Sequence, residues 1–339
     1  MLTSIELFAG GGGMALGMER AGFLPVLLND NDAHCIETLR INRPDWNVVY
    51  ASVSELDFKP YAGFVDCVSG GFPCQAFSHA GKRLGFEDVR GTAFYDFARC
   101  IKETNTPVFV AENVKGLTTH DNGNTLVTIL SVFEELGYTV QSQVLNANNY
   151  KTPQKRERVI IVGVRNDIKA RFSYPKIAGG GYVLLDALRA GRLYKKDVAH
   201  CSHTGYTTVK RAVMELVPEG GNWRSLPPSV AAEYMGIAYH SGGGKTGVAR
   251  RLAWQKPCPT LTTSPAQKLT EFCHPDETRP LTVNEYARVQ TFPDNWIFSG
   301  SQNQQYKQIG NAIPVNFANA ISKQIASFIT KNKIANNEN

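Results

Sequence analysis

Ile5-Glu6-Leu7-Phe8-Ala9-Gly10-Gly11-Gly12-Gly13-Met14 runs from a short apolar strand, through four consecutive glycines, toward a helix that opens near Met14. Glycines at a strand-to-helix turn let the backbone approach a ligand closely, and the first such turn of a doubly wound sheet is where nucleotide-like cofactors sit. Asp30 closes the next apolar run, about 20 residues past the glycines, where an acid can bind ribose hydroxyls. These two features leave NAD and S-adenosylmethionine both open. Around them, short apolar runs alternate with helical patterns as far as residue 170 or so, which predicts a parallel sheet covered by crossover helices. Strands are expected at Ser4–Phe8, Leu24–Asn29, Asn47–Ala51, Phe64–Ser69, Val108–Glu112, Thr139–Leu145 and Val159–Val164. Phe94, Phe97, Ala98 and Ile101 share one helical face, and Leu126, Ile129, Leu130, Phe133 and Leu136 another, with Gly137 as its C-cap.

From about residue 171 to 275 the periodicity fades, and Gly179-Gly180-Gly181, Gly220-Gly221, Pro227-Pro228 and Gly242-Gly243-Gly244 break the chain into short segments, as in a loop-rich smaller unit. Order returns at Thr282-Val283-Asn284-Glu285, a capping box that predicts a helix through Gln290. A last helix is expected from Pro314, with Phe317, Ala320, Ile321, Ile325 and Phe328 on one face and a frayed polar tail from Lys331. The expected division is a large domain of residues 1–185 plus 305–339 and a small one of residues 186–304.

The 339 residues, 42% hydrophobic and 19% charged, exclude disordered, collagenous and fibrous classes and suggest two domains. Formal net charge is only +6, yet residues 151–256 hold 19 Lys and Arg against 7 Asp and Glu, and the remainder 17 against 23. That basic stretch favours a nucleic acid partner. Seven cysteines with no C-x-x-C pair read as a reducing, cytoplasmic compartment. His200-Cys201-Ser202-His203 lacks a second pair at ligand spacing, so no metal is expected. No leader or membrane segment is expected either.

Gly70-Gly71-Phe72-Pro73-Cys74-Gln75 ends the fourth strand, and proline and glycines there hold Cys74 at the carboxyl edge of the sheet. Such a thiol becomes nucleophilic if positive neighbours or a helix N-terminus lower its pKa. The next strand ends in Ala111-Glu112-Asn113-Val114, which brings the Glu112 carboxylate into the same cleft. Pro153-Gln154-Lys155-Arg156-Glu157-Arg158 leads into the last strand, where alternation puts Arg156 and Arg158 on one side. Ser241-Gly242-Gly243-Gly244-Lys245-Thr246 lacks the Walker glycine, its place being taken by Tyr239, so it is a flexible basic loop, either solvated or touching nucleic acid.

Together these segments resemble the DNA cytosine methyltransferases that modify carbon 5. Phe8 to Gly13, Gly71-Phe72-Pro73-Cys74-Gln75, Arg90-Gly91-Thr92, Glu112-Asn113-Val114 and Gln154 to Arg158 follow the family order. Arg279-Pro280-Leu281-Thr282, Glu285 to Gln290, Phe292-Pro293 and Gly310-Asn311-Ala312-Ile313-Pro314-Val315 continue it. The resemblance covers residues 1–170 and 275–330. It implies a doubly wound, Rossmann-like S-adenosylmethionine-dependent methyltransferase fold with a smaller, loop-rich target-recognition domain and a C-terminal helix that returns to the large domain. Duplex DNA is the implied substrate, the chain a monomer, and a restriction endonuclease sharing the target site the implied counterpart.

The resemblance also implies residue roles. Cys74 adds to carbon 6 of a flipped-out cytosine, Glu112 bonds N3 and the amino group, Arg158 bonds O2, and Arg156 supports that site. Phe8, Ala9, Gly10, Gly11, Gly13, Asp30, Asn31, Ser52, Val53, Pro73, Asn311 and Ala312 contact the cofactor. Where the family usually has Gly-Asp to hold the adenine amino group, this chain has Ala51-Ser52, a hydrogen-bonding side chain without charge. Residues 76–89, with Gly81 and Gly85, form a lid. Gln75, Ser78, Lys82, Arg83, Arg90, Lys245, Arg250, Arg251, Thr260, Gln267 and Lys268 contact DNA. An RNA cytosine methyltransferase of similar build is the main competitor, but the Cys-Phe-Thr element of the tRNA-type family is missing. A nicotinamide-dependent oxidoreductase would leave Cys74, Glu112 and the arginines without a shared purpose.

Overall fold

A computed structural model of the chain describes residues 1–73, 92–178, 182–188, 227–235, 250–264, 272–275 and 280–337. In chain order its elements begin with β1 (Leu2–Leu7), α1 (Gly13–Arg20), β2 (Phe23–Asp30), α2 (Ala33–Asn42), β3 (Val48–Tyr50) and β4 (Cys67–Gly70). There follow α3 (Ala93–Thr104), β5 (Val108–Val114), α4 (Asn124–Glu135), β6 (Tyr138–Asn146), β7 (Gln154–Lys155), β8 (Glu157–Arg165) and α5 (Leu184–Leu188). The last are α6 (Pro228–Met235), β9 (Arg250–Arg251), β10 (Cys258–Pro259), β11 (Phe272–Cys273), α7 (Val283–Val289), α8 (Gln302–Asn311) and α9 (Val315–Asn337). They fall into two compact units: Met1–Lys151 with Glu157–Gly180 and Ile313–Asn339, and Thr152–Arg156 with Gly181–Ala312.

The first unit is built on a seven-stranded sheet in the order β3-β2-β1-β4-β5-β8-β6. Its central strands are apolar on both faces because helices cover both faces, which is why they read as continuous apolar runs. One core gathers Ile5, Leu7, Phe72, Phe94, Phe97, Phe109, Ile129 and Phe133; the other gathers Met14, Met18, Val110, Val162, Phe317, Ile321 and Ile325. The amphipathic α3 starts where the Thr92 hydroxyl accepts from the Tyr95 amide at 3.1 Å, and α4 ends at Gly137, whose φ of 87° only glycine adopts freely.

Sequence patterning predicts a parallel sheet, and parallel pairing dominates, but β8 runs antiparallel to both β5 and β6. Ten residues separate β6 from β8, fewer than the dozen or so that a parallel crossover requires, so the chain turns back. Parallel pairing holds for β1 with β2 and β4, for β2 with β3, and for β4 with β5. The register sets Leu7 opposite Asn29 and Gly70, and Gly70 opposite Ala111. The residues that follow each of these strand ends therefore emerge along one carboxyl edge. The C-terminal tail, expected to fray from Lys331, continues α9 through Asn337.

The second unit carries two small parallel pairs, β10 with β7 and β11 with β9. Its α7 opens with the expected capping box: the Thr282 hydroxyl accepts from the Glu285 amide at 3.2 Å, and the Thr282 amide donates to Glu285 at 2.8 Å. Among the described residues no helix is long and apolar enough to cross a membrane, and no group of side chains is placed to hold a metal ion.

Candidate active site

β1 delivers the chain into a turn with positive φ at Phe8 (59°), Gly10 (55°) and Gly12 (87°), and α1 starts at Gly13. Asp30, at the end of β2, closes this turn: the Gly10 amide donates to its Oδ2 at 2.7 Å, and the Asp32 amide to its Oδ1 at 2.8 Å. Burial pushes the Asp30 carboxyl above its ordinary pKa, and the Gly10 and Asp32 amides oppose that rise. Two residues before the turn, Glu6 is 3% exposed and its Oε2 has no hydrogen-bond partner. Burial first and the charge of Asp30 second raise its pKa well above the usual carboxylate range.

Open space lies where a Cβ on Gly10 would project. A bare glycine turn beside a half-buried acid, Asp30, and a buried one, Glu6, with an unsatisfied oxygen, fits a cofactor that brings hydroxyl and cationic groups. Asn31 is exposed beside Asp30. Ser52 is also exposed, its hydroxyl bonded to that of Ser54 at 2.7 Å, and Val53 starts a single 3-10 turn, Val53–Glu55.

Further along the same edge, β5 presents Glu112 and β8 presents Arg158. Antiparallel register places Arg158 opposite Val114, diagonal to Glu112, and Arg158 Nε lies 2.7 Å from Glu112 Oε1. Both side chains are largely buried, at 11% and 15% exposure, so the guanidinium fixes the carboxylate where water screens the pair weakly. Gly71 adjoins the carboxylate: a Cβ there would lie 3.4 Å from Glu112 Oε2, in ordinary contact. Asn113 Nδ2 donates to the Phe72 carbonyl at 2.8 Å, and the Phe72 ring sits in the core against Phe94 and Phe97. The segment Gly71-Phe72-Pro73 is thus tied to the end of β5. Cys74 follows Pro73 in the chain and lies outside the described residues, as do Gln75, Ser78, Lys82, Arg83, Arg90, Lys245, Gln267 and Lys268.

Arg156, two residues from Arg158, is 1% exposed and belongs to the second unit. Its guanidinium donates to the carbonyls of Leu261 at 3.2 Å, Gly310 at 2.9 Å and Asn311 at 3.4 Å. Beside it the fully buried Gln154 and Gln290 bond each other at 2.9 Å. Gln154 Oε1 accepts from the Leu261 amide, while Gln290 Nε2 donates to the carbonyls of Ile309 and Ala312. The turn Gly310-Asn311-Ala312 is therefore held by Arg156 and Gln290 together. Gly310 is required there, because a Cβ would strike the Thr262 backbone. Thr260 donates its hydroxyl to the Lys155 carbonyl at 2.7 Å; Arg250 and Arg251 are exposed on β9, with Arg251 Nη1 donating to the His274 carbonyl at 2.8 Å.

Asn113, Gln154 and Gln290 carry positioning work that sequence reasoning does not assign to them. Their one local signal is an amide side chain inside an otherwise apolar or strand-end context.

The family model for C-5 cytosine-specific DNA methylase matches residues 2–327. The chain is 55% identical over 332 residues to the type II methyltransferase M.Eco47II of Escherichia coli, spanning 97% of this chain and 80% of that one. With M.HhaI of Haemophilus parahaemolyticus it shares 33% over 340 residues, 96% of this chain and 94% of the other. The fold is similar to that of a variant of DNMT2 from Spodoptera frugiperda, with TM-score 0.65 and 17% identity over 96% of this chain and 99% of that one. The chain belongs to the C-5 cytosine-specific DNA methylase family: it is a DNA cytosine-5-methyltransferase whose methyl donor is S-adenosylmethionine.

Proposed function

We propose that this enzyme is the modification member of a restriction-modification pair, methylating one cytosine within a specific duplex sequence through a covalent intermediate on Cys74. The observation that carries the reading is the Glu112–Arg158 pair beside Gly71, with Asn113 holding the segment that leads to Cys74.

Cytosine carbon 5 is a weak nucleophile, so the ring is activated by adding the Cys74 thiolate at carbon 6. The electron pair of the carbon 5–carbon 6 double bond moves into the ring, and Glu112 supplies a proton at N3 to meet that charge. Arg158 holds Glu112 in place and bonds the ring oxygen O2. S-adenosylmethionine, when bound, supplies the electrophilic methyl group that carbon 5 takes up. As carbon 5 takes the methyl group, N3 returns its proton to Glu112, and loss of the carbon 5 proton to a base then expels Cys74 and restores the carbon 5–carbon 6 double bond.

Asp30 binds the ribose hydroxyls, and Phe8, Ala9, Gly10, Gly11 and Gly13 shape the cofactor turn. Asn31, Ser52, Val53 and Pro73 complete that pocket. Because the reacting carbons are stacked inside the duplex, the target base flips out, at a cost of a few kcal/mol. The second unit reads the flanking sequence, with Arg250, Arg251 and Thr260 among its DNA contacts. A restriction endonuclease of the same specificity is the counterpart.

A duplex with 5-fluorocytosine at the target position traps the adduct, because fluorine cannot leave as a proton does. A denaturant-resistant complex is expected with the wild-type enzyme. Cys74→Ala is expected to abolish both trapping and methylation while retaining affinity for duplex DNA. An active wild-type enzyme that forms no adduct overturns the covalent reading.

A further inference from the structure

Arg99 lies on α3, outside all the residues assigned above, and its guanidinium is engaged through all three nitrogens. Nη2 donates to the Val53 carbonyl at 2.9 Å and Nη1 to the Leu56 carbonyl at 2.8 Å. Nε and Nη2 share Asp96 Oδ1 at 3.2 Å, and Nη1 also faces both oxygens of Glu103 at 3.4 Å. Five N–H groups thus have acceptors on three sides, the full capacity of an arginine fork. Glu103 in turn accepts from the Phe58 amide at 3.2 Å, and the buried Phe58 ring lies 4.9 Å from the guanidinium carbon. Two carbonyls and one ring between residues 53 and 58 are held by the Arg99 cation, and the Phe58 amide by the Glu103 carboxylate that braces it.

That segment begins where the adenine edge is assigned. Ser52 carries no charge to capture an exocyclic amino group, and its hydroxyl is engaged by Ser54. Recognition of the base then falls on the backbone of the turn, whose first N–H groups the turn itself leaves without internal acceptors. Backbone donors discriminate between bases only if they are held in place, because a loose loop can move to suit either partner.

We propose that Arg99, braced by Asp96 and Glu103, is a positioning residue for cofactor selectivity, fixing the backbone from Val53 to Leu56 so that it distinguishes adenine from other bases. The inference rests on the assignment of Ser52 and Val53 to the adenine.

The test compares binding of S-adenosylhomocysteine and S-inosylhomocysteine, which differ at the six-position and in protonation of N1, to the full chain. The wild-type enzyme is expected to prefer the adenosyl compound. Arg99→Met, similar in length but without donors, is expected to lose at least about tenfold in affinity for the adenosyl compound and about twofold or less for the inosyl one. In turnover the loss falls on KM for the cofactor, not on affinity for duplex DNA. Arg99→Lys, which cannot span both carbonyls, recovers part of the preference. Should Arg99→Met fail to fold, Glu103→Gln is expected to shift the preference in the same direction by a smaller factor. Equal weakening of both compounds, or a preference unchanged in folded variants, reduces Arg99 to a loop anchor and overturns the proposal. A wild-type enzyme with no preference refutes the adenine assignment itself, and the proposal with it.

Discussion

Glu6 is a carboxylic acid buried on the first strand with one oxygen that no donor meets, an arrangement that disfavours its charged form. Its raised pKa means that the folded chain holds a proton which the unfolded chain releases at lower pH. The stabilising contribution is therefore complete at low pH, below the ordinary carboxylate value, and is lost as pH rises toward the raised folded value. Asp30 contributes in the same direction. Denaturant midpoints of the cofactor-free enzyme are expected to fall as pH rises above the ordinary carboxylate range, because both folded-state pKa values are raised. Glu6→Gln is expected to flatten that fall and leave the slope due to Asp30. At this scale the sequence is uneven in what it reveals. The place of Asp30 at the glycine turn is legible from its distance to the glycines, and its side chain does accept from the Gly10 amide, whereas the burial of Glu6 is a matter of tertiary packing that the strand pattern does not display. Alternation likewise predicts that Arg156 and Arg158 share a side, but cannot say that one serves carbonyls at residues 261, 310 and 311 while the other serves Glu112.

The helix α1 crosses α9 at Gly17, where an added Cβ would collide with the Ala318 side chain and come within 2.8 Å of the Asn319 nitrogen. Glycine inside a helix costs about 1 kcal/mol relative to alanine, so its use here reflects the close approach of the two helices. Gly17→Ala is expected to destabilise the enzyme by about 1–3 kcal/mol despite the gain in helix propensity. The urea midpoint should fall with an unchanged slope. Because α1 grows directly from the cofactor turn, affinity for S-adenosylhomocysteine should fall as well. Elements whose apolar face is local in sequence, α3, α4 and α9, are legible from helical periodicity alone. The direction of β8 is not, because apolar runs carry no sign of parallel or antiparallel pairing; the short link from β6 decides it. The contact between α1 and α9 joins residues about 300 apart in the chain, and only the resemblance implies such a return.

Charge is the property of the whole molecule that bears most directly on its substrate. The formal +6 masks an excess of twelve positive charges over residues 151–256 and an acidic remainder, so attraction to phosphate is concentrated in one stretch of chain. Each phosphate neutralised releases condensed counterions, and the logarithm of affinity falls with the logarithm of salt at a slope near −0.9 per contact. Arg250 and Arg251 adjoin in that stretch and look equivalent in sequence, yet their surroundings differ. Arg251 has Nη1 committed to the carbonyls of His274 and Pro275, while Arg250 is exposed on the same short strand with its side chain available for phosphate. Arg250→Ala is expected to reduce the salt slope by about one and to weaken binding uniformly across target and non-target duplexes. Arg251→Ala is expected to change the slope less and to lower the thermal midpoint, since two carbonyls lose their donor. Filter binding or anisotropy over a series of salt concentrations separates the two. An unchanged slope in Arg250→Ala removes that residue from the phosphate contacts, and equal slopes in both variants would mean that the carbonyl bonds of Arg251 do not set it apart.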